Sequence, residues 1–252
     1  MRRYPTGRVR RFLRRRLERI LGRRFGRPTV TSQMVLWPVA LVIGVAVGYL
    51  VIGFRLAISG LQTLFYGADD IMLHTTAAAL PWWAVLFLPV FGGLAVGLLL
   101  SRYTPDSKAR GVGDVIRAAA LRGGRVERVP ASASVGAALV TLSTGGSTGR
   151  EGPAIHVGAI VASWVSDRLA ATGMTGRDIL GCATAAAVSA SFNAPLAGAL
   201  FALEVVLRHF ALHAFGPIVV AGVAATVVGR IHLGNVTEFT LPGHSVEFYW
   251  EM

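Results

Sequence analysis

Charge is scarce in this chain. Asp, Glu, Lys and Arg make up only 15% of its 252 residues, too little to coat a soluble domain of this length. Two windows, MVLWPVALVIGVAVGYLVIGF (34–54) and LPWWAVLFLPVFGGLAVGLLL (80–100), carry none. Each reaches the ~20 residues that an α-helix needs to cross a hydrocarbon core. A soluble globule is excluded, and the chain reads as an integral membrane protein. Cysteine is almost absent too. Cys182 stands alone among alanines, cannot close an intrachain disulfide and reads as a small core residue.

Enzyme signatures are missing. GGSTGREG (145–152) lacks the lysine that a phosphate loop needs, and neither a G-x-S-x-G elbow nor an HExxH pair occurs. The six histidines show no metal-ligand spacing. No enzyme, metal or organic cofactor is expected.

What the chain has in excess is arginine at one end. Residues 1–28 hold twelve arginines against the single acid Glu18, so they carry +11 of the net charge of +12. Leucine, isoleucine and phenylalanine alternate with these arginines directly ahead of the first apolar run. This pattern predicts a juxtamembrane helix on anionic headgroups rather than a nucleic-acid surface. The apolar run is too long for a signal h-region and ends in no cleavage site. A single tilted helix is expected over about 33–66, then a connection (66–79) with Asp69 and Asp70 but no Lys or Arg. The second crossing returns to a segment with Arg102, Lys108, Arg110, Arg117, Arg122, Arg125 and Arg128. That alternation predicts a cytoplasmic N-terminus, in the plasma (inner) membrane.

After residue 130 the apolar pieces shorten and fill with Gly, Ala and Ser: 131–146, 153–165, 179–192, 195–207 and 215–229. Short, interrupted segments suggest helices that start or stop inside the membrane. Irregular backbone there must be buried in protein or line a wet cavity. The expected fold is therefore an all-α, polytopic helical bundle with broken helices. Three parts are expected: 1–30, an Arg-rich cytoplasmic helix; 31–234, the transmembrane domain; and 235–252, a polar-aromatic tail without a further span.

Within this greasy frame stands GGSTGREGPAIHVGA (145–159). Glycines at 145, 146, 149 and 152 permit tight turns, and Pro153 suits a first helical turn. A helix beginning near Glu151 would offer unpaired amides and the positive end of its dipole to an anion. Glu151 would then be a tethered anion that plugs the site and leaves when protonated. The alternative is that it caps the helix or pairs with Arg150. An ionisable group inside a membrane segment favours the functional reading. His156 on the same helix reads as a packing residue. Two more helix starts are expected, one at SASFNAPLAGALF with Asn193 as cap and Pro195 just inside, the other at KARGVGDVIRAAALRGG (108–124). Several starts converging on one place would bind an anion without a full positive charge.

GREGPAIHVGA resembles the G-[KR]-E-G-P motif of the CLC family of chloride channels and anion/proton exchangers. ILGCATAAAVSASFNAPLAGALFALEVVLRHF and AFGPIVVAGVAATVVGR continue the likeness, which covers roughly residues 33–234. The resemblance implies transmembrane anion transport, of chloride first, by a voltage-gated chloride channel-like protein. It implies a homodimer of subunits that are each an inverted repeat. Glu151 would be the gating glutamate, and the amides near Gly149, Arg150, Glu151 and Gly152 would line an anion site. The family's G-S-G-I-P motif falls on ARGVGDV, so Arg110 replaces the serine that ligates the central anion, Gly111 follows it, and Gly113 replaces the proline. The inner proton-transfer glutamate falls on Val205, beside Glu204, which weakens coupling to protons. Only the first repeat is covered. The expectation is a separate polypeptide that supplies the second repeat, a homo-oligomer that improvises it, or a truncated, non-transporting half that only associates within the membrane.

Overall fold

The computed structural model describes residues 33–67, 80–171, 173–208 and 212–234. The Arg-rich segment 1–30, the acids Asp69 and Asp70, and the tail 235–252 lie outside the described residues. The described residues form helices without a strand. In chain order they are α1 (Gln33–Tyr66), α2 (Trp82–Tyr103), α3 (Val112–Leu121), α4 (Arg128–Ser143), α5 (Glu151–Arg168), α6 (Met174–Phe192), α7 (Pro195–Phe201) with a π-helical turn (Ala202–Leu207), and α8 (Leu212–Leu233).

Three of these helices are long and apolar enough to cross a membrane: Val35–Tyr66, Trp82–Tyr103 and His213–Leu233. The 34 residues of α1 extend ~51 Å at 1.5 Å per residue. The hydrocarbon core is only ~30 Å thick, so tilt accommodates the excess. The single helix expected over about 33–66 is present. α2 lies at the edge of the bundle and packs on α4. Its Leu86, Phe87, Phe91, Leu94 and Leu98 are exposed, the surface that lipid would cover.

The core is α6. Residues 178–190 of this helix are all buried, enclosed by α1, α5, α7 and α8. Alanine and glycine dominate its sequence because in lipid helices associate by close packing rather than by a hydrophobic gradient. The tightest approaches follow from single glycines. A Cβ on Gly44 would stand 2.5 Å from the Ala221 carbonyl oxygen, and one on Gly158 would stand 2.6 Å from that of Ala183. Gly44 and Gly48 form a G-x-x-x-G face on α1 that seats α8 at Ala221 and Ala225. Several hydroxyls within the helices bond back one turn, as Thr184 Oγ1 does to the Leu180 carbonyl at 2.8 Å, which satisfies those donors inside the bundle. Buried Asp178 on α6 faces His213 Nε2 at 3.4 Å.

One expected cap is corrected. Asn193 does not cap α7, whose N-cap is Ala194 with Pro195 in the first turn. Asn193 instead ends α6 in the left-handed conformation at φ 56°, where its Oδ1 accepts from Arg230 Nε at 2.7 Å. Asparagine tolerates that conformation better than most residues, and in this turn the helix end claimed it before the next helix start.

Candidate functional site

The loop that delivers Glu151 is held from one side. Tyr66, at the end of α1, donates its hydroxyl to the Thr144 carbonyl at 2.9 Å, and Gln62 Nε2 donates to the Leu142 carbonyl at 3.2 Å. Gly145 follows at φ 84°, a conformation that glycine adopts without a steric cost. A Cβ there would press on the Tyr66 hydroxyl at 2.7 Å. The strap from α1 to the end of α4 therefore fixes where the next helix begins.

α5 starts at Glu151 with Arg150 as N-cap and no side-chain cap bond. Ala154 N donates to the Arg150 carbonyl at 3.2 Å, and Pro153 has no N–H. The amides of Glu151 and Gly152 thus stand ahead of the helical ladder, at the positive end of the dipole. The Glu151 side chain folds back over Gly149, where a Cβ would lie only 2.7 Å from its Oε2. Glycine at 149 makes room for the carboxylate. Arg55 of α1, Arg150 and Glu151 line one cavity of about 50 Å³, walled by Phe54, Ile58 and Phe192. That volume exceeds what one water needs. Two guanidinium groups and one carboxylate line it, in apolar walls that screen charge weakly.

The start of α3 is arranged differently. The Arg110 N–H donates to Ser134 Oγ at 2.8 Å, and Ser134 Oγ donates to the Pro130 carbonyl at 2.8 Å. The Gly111 N–H donates to Asp114 Oδ2 at 3.0 Å, an internal cap that occupies the helix end. The Arg110 guanidinium lies 3.2 Å from Asp106 Oδ2 and 3.9 Å from Asp114 Oδ1. These amides are already satisfied within the protein, and Arg110 faces two acids. Nothing lies within 4 Å of a Cβ built on Gly111, Gly113 or Gly152, so those positions are open.

The expected convergence of helix starts is thus only partial. α3 reaches α5 at His156, whose Nε2 donates to the Gly111 carbonyl at 3.1 Å. That contact is five residues beyond Glu151, ~7.5 Å along the helix axis. Glu151 and Arg110 line separate cavities. His156 is 1% exposed, and its Nδ1 has no partner among the described residues. Glu204 and Val205 sit together on the exposed side of the π-helical turn, Val205 at 37% exposure. π turns occur frequently at functional positions.

Sequence reading passed over Arg55 and Ser134. Arg55 carried a usable signal, since it is charged within a long apolar helix and ionisable groups there are functional by default. Ser134 carried none, because its role depends on a contact 24 residues away.

A broken-helix site inside a bundle of long apolar helices defines the class: a polytopic, all-α integral membrane protein. A family model described as voltage gated chloride channel matches residues 92–251. A ClcB-like chloride channel protein of Ralstonia nicotianae is 31% identical over 218 residues, which are 85% of this chain and 51% of the relative. The voltage-gated ClC-type chloride channel ClcB of Escherichia coli is 31% identical over 194 residues, 77% of this chain and 46% of the relative. Among solved structures, a CLC-type fluoride/proton antiporter superposes with a TM-score of 0.65 at 26% identity, covering 85% of this chain and 51% of its own. A slow cyanobacterial Cl−/H+ antiporter shares the fold, with a TM-score of 0.65 at 23% identity over 80% of this chain and 48% of its own. The chain belongs to the voltage-gated chloride channel (CLC) family. It spans about half the length of the curated relatives it matches.

Proposed function

We propose that this chain forms the first half of a transmembrane anion pathway, with chloride as its first candidate ion and Glu151 as the gate. The observation that carries the reading is the start of α5. Two amides stand ahead of the helical ladder there, and the Glu151 carboxylate curls over Gly149 in a cavity that Arg55 and Arg150 also line. When ionised, the carboxylate holds the place of a diffusing anion; when protonated, it releases that place. Val205 cannot carry a proton, and its neighbour Glu204 faces outward, so anion movement is uncoupled from protons and channel-like. The protein lies in the plasma (inner) membrane with a cytoplasmic N-terminus, on the strength of its arginine distribution, and works as a dimer whose pathways are completed by a second-repeat polypeptide.

The test is chloride efflux from liposomes. The chain alone gives no flux above empty liposomes, and co-expression with a chain carrying the second repeat restores it. With the assembled pathway, flux rises as pH falls, and Glu151→Gln makes it high and independent of pH. An unchanged pH profile in that variant rejects the gate.

A second reading is a non-transporting membrane subunit. What favours it is an apolar face on α7 and α8 that no described residue covers, with Leu196 68% and Ile231 72% exposed. Cross-linked dimers with no flux under any pairing decide for it.

A further inference from the structure

The N-terminal part of α1 and the end of α5 flank an open apolar groove of about 340 Å³, within the ~300–1,000 Å³ range of small-molecule sites. Val42 and Ile43 wall one side, Trp164 and Val165 the other, and Arg168 is the charged residue that lines it. The Arg168 guanidinium lies 4.6 Å from the centroid of the Trp164 ring. The neighbouring arginines are spent. Arg125 Nε meets Asp167 Oδ1 at 3.1 Å, and Arg128 bonds the other Asp167 oxygen. Arg168 makes no ion pair among the described residues. A cation–π contact therefore fixes a guanidinium without neutralising it.

The slot faces the membrane, because Val42 is 64% and Trp164 48% exposed on helices of a membrane bundle. It also lies within fifteen residues of the segment with twelve arginines, which places it in the leaflet where anionic headgroups gather. A soluble metabolite has no use for a slot open to hydrocarbon. An aliphatic chain ending in a phosphate matches both halves of the site: methylenes against Val42, Ile43 and Val165, and a negative group at Arg168. The indole between them suits the boundary of the hydrocarbon.

We propose that this groove binds an anionic phospholipid, with one acyl chain in the slot and its phosphate on Arg168. Binding needs only the folded chain and no transport, so this inference and the anion-pathway reading fail independently.

The full chain, purified in neutral detergent, is titrated with phosphatidylglycerol and with phosphatidylcholine of the same acyl chains, and retained lipid is counted by native mass spectrometry. One arginine near a surface of anionic lipid contributes ~1 kcal/mol, so Arg168→Gln lowers phosphatidylglycerol retention about fivefold and leaves phosphatidylcholine unchanged. Arg168→Lys keeps the preference. Val42→Trp fills the slot and lowers retention of both lipids. Both positions are exposed, and circular dichroism verifies that helicity is kept. Three results overturn the proposal. Undiminished phosphatidylglycerol binding in Arg168→Gln assigns the lipid to the arginine-rich segment. Displacement by glycerol phosphate alone, with Val42→Trp silent, makes it a free-phosphate site. No retained lipid means that the groove is covered by another copy or a partner chain.

Discussion

Glu151 and Gly149 act as a pair, since the carboxylate rests where a side chain at 149 would stand. Gly149→Ala moves only the far end of a flexible side chain. It therefore leaves the melting temperature of the purified chain unchanged while altering the pH dependence of flux in the assembled pathway; a stability loss with an unaltered pH profile would assign Gly149 to packing alone. Arg110 has the opposite character. Its guanidinium meets Asp106 and Asp114 in a setting where half-exposed pairs contribute ~1 kcal/mol or less. Arg110→Ala is expected to shift stability by no more than that and to leave chloride affinity, measured by isothermal titration of the assembled protein, where it was. A large loss of affinity would put Arg110 back on the anion. Glu151 was legible in the sequence because a charge in a run of small and apolar residues demands a partner. Arg110's pairing was half legible, since Asp106 and Asp114 lie one turn away on either side. Its backbone anchor, Ser134, was not.

Among the elements, α1 was the plainest in sequence, because 34 apolar-rich residues admit only a helix long enough to cross and tilt. The start of α5 was equally plain, from Pro153 and the glycines around it. The start of α7 at Pro195 was legible as well; only its cap was misread, since Asn193 had two helix ends to serve and the sequence does not say which one wins. What brings α1 against α8 is also invisible without coordinates, although G-x-x-x-G at 44–48 announces a close face. Gly44→Leu forces a side chain against the Ala221 backbone. Overpacking costs ~1–3 kcal/mol, which at ~2–4 °C per kcal/mol for a chain of this size lowers the thermal midpoint by several degrees in detergent. Gly53→Leu, where nothing lies within 4 Å of the added Cβ, leaves it in place. Equal midpoints for the two variants would contradict the α1–α8 packing.

At the scale of the molecule, the described helices leave two openings. α5 presents its free amides at an exposed Glu151, and α7 with α8 presents uncovered leucines and isoleucines. The chain matches about half the length of each relative. Ahead of α3, the Arg110 and Gly111 amides are already given to Ser134 and Asp114. Under the proposed anion pathway, further donors are expected from a second-repeat segment.

The most direct measurement is chloride efflux from liposomes containing this chain co-assembled with a second-repeat polypeptide, with and without Glu151→Gln, across a range of pH. Efflux is expected to climb as pH falls in the parent assembly and to be high and flat in the variant. Efflux with the same pH dependence in both would contradict the Glu151 gate.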